Sequence, residues 1–279
     1  MKKFFAIISP LYYGKMLNLK VIFSPEKTAV KAFYIFSKVR KGRLNTTQKE
    51  YLNPFKYKII SCQNHKIQTY KWSGTKETVL LIHGWESNTW RWHKLIEKLT
   101  LSNYNIIAFD APGHGASSGE YLYVPLYAQV VQNLIDTFKP KHLIGHSVGG
   151  MTILFNQHKN SNTLIEKIVT IGAPSEFHEI IANYQNILGF NTKVYKAFER
   201  YIKSRFGFTI REFSTSNFVK SNSKKGLLFH DRLDKIAPYH ASVAVHNNWK
   251  NSVLISTEGL GHSMHQEEIN EQILAFLES

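Results

Sequence analysis

Short apolar runs rich in β-branched residues recur along this chain, at Thr78–Ile82, Asn105–Phe109, His142–Ile144, Lys167–Ile171, Gly226–Phe229 and Ser252–Ser256. Their apolarity is continuous rather than alternating, which is how strands of a parallel sheet covered on both faces read. Each run ends in a polar or Gly-rich segment, such as His83-Gly84-Trp85, Asp110 to Ser117, Gly145 to Gly149, and Gly259 to His262. Open α/β sheets carry their ligands and chemistry in loops at those strand ends.

A different period appears between Pro174 and Gly226, a span too long for an ordinary crossover. Phe177, Ile180, Ile181, Tyr184, Ile187 and Leu188 form one helical stripe stopping at Gly189. Val194, Tyr195, Phe198, Tyr201 and Ile202 form a second, stopping at Gly207, and Thr209-Ile210-Arg211-Glu212 predicts the start of a third helix with a capping box. Near the N-terminus, Pro25 suits a first helical turn, and Ala29, Ala32, Phe33 and Phe36 recur at helical spacing. Lys38, Arg40, Lys41 and Arg43 cluster beyond it, favourable to the helix dipole. That helix either packs against the body of the protein or serves as an interfacial anchor.

Gly145-His146-Ser147-Val148-Gly149 carries the sharpest chemical signal, because a strand-like run enters it and a helix-capable run, Met151 to His158, leaves it. A serine between two glycines at such a turn is pushed outward, and the N–H of Val148 is left to face an oxyanion. The Gly turn after the strand at 78–82 can aim the Trp85 N–H at the same point. The pentapeptide alone is weak; the order of motifs around it gives it weight.

With these motifs in that order, residues 56–279 resemble the α/β-hydrolase family. His83-Gly84-Trp85 resembles its oxyanion loop, Asp110 to Gly115 its D-x-P-G-x-G turn, Gly145 to Gly149 its nucleophile elbow, Asp234 to Pro238 its acid loop and Gly261-His262 its histidine loop. The resemblance implies an α/β fold with a mostly parallel central sheet flanked by helices and a helical cap. It implies a catalytic domain over 56–174 and 226–279 and a cap insertion over 175–225, and the residues before it read as a basic, partly helical N-terminal extension over 1–55.

Asp231 and Asp234 compete for the acid of a triad. The family places that carboxylate before the loop proline, which selects Asp234 and leaves Asp231 to order the loop. Of the thirteen histidines, His262 and His265 follow the last strand. Ser263-Met264-His265-Gln266 reads as a capping box that puts His265 inside the terminal helix and leaves His262 in the loop. The expected catalytic set is Ser147, Asp234 and His262, with Trp85 and Val148 N–H groups as oxyanion donors and Gly145 and Gly149 shaping the elbow. His83, His114 and His146 are expected to shape loops rather than react.

Composition narrows the classes. At 279 residues and 43% hydrophobic content the chain can bury a full core. The single cysteine, Cys62, excludes an intrachain disulfide. Dinucleotide, Walker and clustered metal-ligand patterns are absent, so no cofactor and no metal is expected. Lys and Arg number 35 against 20 Asp and Glu, a net charge of +15, but the lysines are spread and no nucleic-acid motif is present. The charge reads as a solvated surface, or as weak attraction of the basic N-terminus to an anionic membrane. Lys2-Lys3 and the apolar stretch after them imitate a signal peptide, but Ser9-Pro10 interrupts it and no small-x-small site follows. A cytoplasmic location, with or without peripheral membrane association, is expected.

The expected function is a serine hydrolase for small to medium carboxylic esters. Thioesterase, amidase, C–C hydrolase and monoacylglycerol-type lipase use the same triad and stay open. Outside the enzymes, a hydrolase-fold ligand sensor or interaction protein with little turnover is the alternative.

Overall fold

The computed structural model describes residues 2–160 and 162–279. Its strands are β1 (Lys56–Cys62), β2 (His65–Trp72), β3 (Thr78–Ile82), β4 (Asn105–Phe109), β5 (His142–His146), β6 (Lys167–Ile171), β7 (Lys225–Asp231) and β8 (Ser252–Thr257). They form one sheet of order β1-β2-β4-β3-β5-β6-β7-β8. From β4 through β8 all pairings are parallel. β1 and β2 form an antiparallel hairpin that joins β4 at the edge. Gln63 and Asn64 both take positive φ in its two-residue turn, the conformation whose twist matches a hairpin.

The helices in chain order are α1 (Lys2–Phe23), α2 (Pro25–Ser37), α3 (Thr46–Leu52), α4 (His93–Leu101), α5 (Val124–Phe138), α6 (Val148–Lys159), α7 (Phe177–Leu188), α8 (Thr192–Phe206), α9 (Thr215–Phe218), α10 (His240–Asn248) and α11 (Glu267–Glu278). Alternate residues of each strand point to opposite faces. Val79, Leu81, Ile106 and Phe229 therefore meet Leu95 and Leu99 of α4 and Ile269 and Ile273 of α11. Leu80, Ile82, Ile107 and Leu228 meet Tyr127 and Val131 of α5, Ile153 of α6 and Val245 of α10. Coverage of both faces is why these strands are apolar throughout.

The chain divides into two compact units, Met1–Lys38 with Glu176–Ser214, and Val39–Ser175 with Thr215–Ser279. In the first, the apolar face of α2 lies on the insertion helices. Phe33 meets Phe198 and Tyr201 of α8, Phe36 meets Tyr184 of α7, and the Tyr184 hydroxyl donates to Ala32 O at 2.8 Å. α7 and α8 end at Gly189 and Gly207, both left-handed, as the stripes predict. The third helix expected from Thr209 does not follow. The reciprocal Thr209–Glu212 bonds form, but they close a single turn, after which Phe213 O accepts from Phe177 N–H and Ser214 bridges Glu176. Among the described residues no helix is long and apolar enough to cross a membrane.

Candidate active site

Ser147 stands between β5 and α6 with φ 53° and ψ −124°, a conformation a non-glycine residue adopts only when its surroundings impose it. Its N–H donates to Ile171 O of β6 at 2.8 Å, and its carbonyl accepts Met151 N–H at 3.1 Å. The flanking glycines follow from close approach. A Cβ on Gly149 would lie 2.3 Å from Ile82 O and 2.7 Å from His83 O, and one on Gly145 would lie 2.6 Å from Ile153 Cδ1. The Ser147 hydroxyl does not cap α6. Val148 opens α6, so its N–H has no carbonyl one turn earlier to bond.

Across from the elbow, the turn after β3 is held by His83. Ala111 N–H donates to His83 Nε2 at 2.9 Å, so the proton sits on Nδ1, which donates to Gly84 O at 2.8 Å. Burial pushes its pKa down to about 4, keeping the ring neutral. The Tyr127 hydroxyl donates to His83 O at 2.9 Å. Gly84 then passes so close to the elbow that a Cβ would be 3.1 Å from Ser147 Cβ and 2.8 Å from His146 Nδ1. Trp85 follows half-buried, its ring 6.1 Å from that of His114.

Two residues that the sequence placed only in a turn motif and in a basic cluster hold structure by specific bonds. Asp110, at the end of β4, accepts from Thr89 N–H, Thr89 Oγ1, the Tyr70 hydroxyl and Ala116 N–H at 2.8–2.9 Å, tying β2, β4 and the next loop together. A fully buried carboxylate with four donors is structural, and its signal was the Asp at a strand end before a Gly-rich turn. Arg43 lies past the end of α2 and donates to Ser117 O and Gly119 O rather than to that helix terminus.

Asp231 and Asp234 are separated by their partners. Asp231 accepts Leu233 N–H from its own loop, the Thr257 hydroxyl from the end of β8 and Leu260 N–H from the loop after β8. Burial acts to raise its pKa, and these bonds outweigh it and hold the carboxyl below the usual range. Asp234, its side chain fully buried, accepts from Ile236 and Ala237 N–H through Oδ1 and faces His262 Nδ1 through Oδ2 at 2.7 Å. His230 Nε2 lies 3.4 Å from the same Oδ2 and donates to Ala237 O at 3.0 Å, with burial lowering its pKa. Nothing in the sequence pointed to His230.

His262 is only 16% exposed, with its ring centroid 4.8 Å from that of His146. His146 Nε2 donates to His262 O at 3.0 Å, so the residue before Ser147 grips the loop that carries His262. Burial drives the His146 pKa well down, consistent with a neutral ring. The structure brings Asp234 and His262 into contact beside the elbow, while no hydrogen bond joins the Ser147 hydroxyl to His262 among the described residues.

The capping box expected at Ser263 is absent. α11 starts at Glu267 with Gln266 as its N-cap, and no side chain caps it. Met264 takes φ 43° and is 2% exposed, so burying its side chain turns the chain out of helical geometry. Ser263 O accepts the Arg91 guanidinium at 2.7 Å instead. His265 consequently lies in the loop, not in the helix, and burial lowers its pKa to about 4. Among the described residues no group of three or more His, Cys, Asp or Glu is placed to hold a metal ion.

Comparison with known proteins agrees with this architecture. The family described as alpha/beta hydrolase fold matches residues 77–198. An uncharacterized hydrolase, YugF, of Bacillus subtilis is 24% identical over 82% of this chain and 99% of its own. The pimeloyl-[acyl-carrier protein] methyl ester esterase of Vibrio vulnificus is 25% identical over 54% of this chain and 57% of its own. Est1E from Butyrivibrio proteoclasticus, solved with ferulic acid bound, superposes with a TM-score of 0.64 at 19% identity, covering 79% of this chain and 98% of that one. The sheet order and these likenesses together give the chain the α/β-hydrolase fold.

Proposed function

We propose that this chain is a serine hydrolase that cleaves carboxylic esters of small to medium size through an acyl-enzyme. The observation that carries the reading is the buried Asp234 carboxylate on His262 Nδ1, beside a serine held in a strained strand-to-helix turn. With Nδ1–H committed to Asp234, Nε2 is the basic nitrogen. Ser147 Oγ attacks the ester carbonyl while Nε2 takes its proton. The tetrahedral oxyanion is met by the N–H groups of Val148 and Trp85. Collapse breaks the C–O bond, His262 returns the proton to the leaving alcohol, and water repeats the sequence to release the acid and restore Ser147. The methyl ester named for the Vibrio relative favours an oxygen ester over an amide or thioester.

The deciding experiment is intact mass after exposure to a fluorophosphonate, with Ser147→Ala as control. A single adduct on the native chain and none on the variant is expected. Folded protein that takes no adduct sinks the catalytic reading in favour of a ligand sensor. On p-nitrophenyl esters, kcat/KM should rise from acetate to butyrate or hexanoate, by about fourfold per CH₂ if each is buried at ~0.8 kcal/mol, and then level off. A profile that keeps rising with long acyl chains means a lipase; one that peaks at acetate turns the search to amides and polar esters.

A further inference from the structure

Helix α1 is apolar on two opposite sides, and only one of them is covered. Gly14, Leu17 and Val21, spaced three and four residues apart, are buried. A Cβ on Gly14 would lie 1.6 Å from Leu188 O at the end of α7, so this side is fixed within its own unit. On the opposite side Tyr12, Leu19, Ile22 and Phe23 are 66%, 65%, 60% and 79% exposed. At 100° per residue these four fall in one stripe with exposed Lys15 among them and Lys20 at its margin. A helix on a water-facing surface carries polar residues there.

Charge says what the stripe faces. The chain has no acidic residue before Glu26, whereas Lys2, Lys3, Lys15 and Lys20 precede it and exposed Lys27 and Lys31 follow on α2. Exposed apolar side chains interleaved with lysines and lacking carboxylates match the headgroup boundary of an anionic bilayer, where the apolar side inserts and ammonium groups meet lipid phosphates. α1 does not qualify as a membrane-crossing helix. We propose that α1 lies in the plane of an anionic lipid surface, with Leu19, Ile22 and Phe23 inserted and Lys15 and Lys20 reaching the phosphates. Docking this way is independent of any chemistry at Ser147.

The test is co-sedimentation of the full chain with vesicles of phosphatidylcholine alone and of phosphatidylcholine mixed equally with phosphatidylglycerol. Binding is expected only to the mixed vesicles and should weaken with added salt. The double variant L19E/F23E should bind at least about tenfold more weakly, and Lys15→Gln or Lys20→Gln about fivefold more weakly each. All three are surface changes, so melting temperature and ester turnover should match the native chain. Equal binding to both vesicles, or undiminished binding by L19E/F23E, overturns the proposal. A dimer in sedimentation velocity that L19E/F23E dissolves, without vesicle binding, also overturns it and gives the stripe to a second copy of the chain. Because the readout is partition of folded protein, a failed fluorophosphonate reaction leaves this result intact.

Discussion

Three positions separate Asp231 from Asp234, both are buried, and their partners give them different work. Asp231 accepts three donors from its surroundings. Asp234 divides its two oxygens between its own loop and His262. Asp234→Asn should therefore lower kcat by about 10⁴, as the equivalent change does in a serine protease by imposing the wrong histidine tautomer. Asp231→Asn turns an amide NH₂ toward N–H donors, so its main effect should be on stability, about 1–3 kcal/mol in urea unfolding, with a far smaller fall in kcat. The reverse ranking in kcat would move the triad acid to Asp231. At this scale the choice was open in the residues themselves, since both carboxylates lie just beyond the same apolar run, Gly226–Phe229. Its place further from the strand end and the resemblance favoured Asp234, and a 2.7 Å contact is what the tertiary structure adds.

Between elements, the spacing of α6 from the sheet is set by glycine. Gly149 lies under the carbonyls of Ile82 and His83, and those are backbone atoms that cannot rotate away. Gly149→Ala must push α6 off β3, with an expected loss of about 3 kcal/mol in urea unfolding and of the Ser147 turn with it. An unchanged midpoint with full fluorophosphonate reactivity would show that α6 can shift without cost. Two capping-box sequences make the complementary point about helices. Thr209-x-x-Glu212 forms both of its bonds and still starts no helix, because Phe213 and Ser214 pair with the residues at the start of α7. Ser263-x-x-Gln266 forms no cap at all, because Met264 is buried in a left-handed turn. A local motif supplies a few hydrogen bonds; whether a helix grows from it depends on where the next apolar side chain is buried.

For the molecule as a whole, the buried histidines couple folding to pH. His83 and His114 are fully buried, and burial pushes them down to about 4 and about 3. His142, 3% exposed, is lowered to about 4, again mainly by burial. In the unfolded chain these rings titrate near 6.5. Between about 6.5 and 4 the unfolded state thus binds more protons, and stability falls as pH falls through that window. For His83 alone the shift corresponds to about 3 kcal/mol. A melting series should be flat above pH 7 and drop by at least about 5 °C between pH 6.5 and 4.5. No drop in that window would mean that these rings are not held neutral in the folded state.

The strands from β3 to β7 are legible in the residues nearly to their ends, because a strand covered on both faces must be apolar throughout, and that requirement is written locally; β8, an edge strand with Val253 exposed, is legible from its apolar, β-branched run alone. The sequence by itself also determined the helices at 25–37, 177–188 and 192–206, through apolar spacing and the glycines that end the last two. It did not resolve the β1–β2 hairpin, whose first strand is mostly exposed and mixes Lys with Ile. It did not reveal α1 as a helix, because side chains that are apolar on both sides leave little periodic signal. Three features came from the folded chain alone: residues up to Lys38 share a compact unit with 176–214, Asp110 and Arg43 hold one loop, and His146 grips the carbonyl of His262. Each of these joins segments whose residues carry no mark of one another. A hydrogen bond or aromatic contact across a long stretch of chain depends on the path taken in between, while amphipathic period and glycine placement depend only on neighbours.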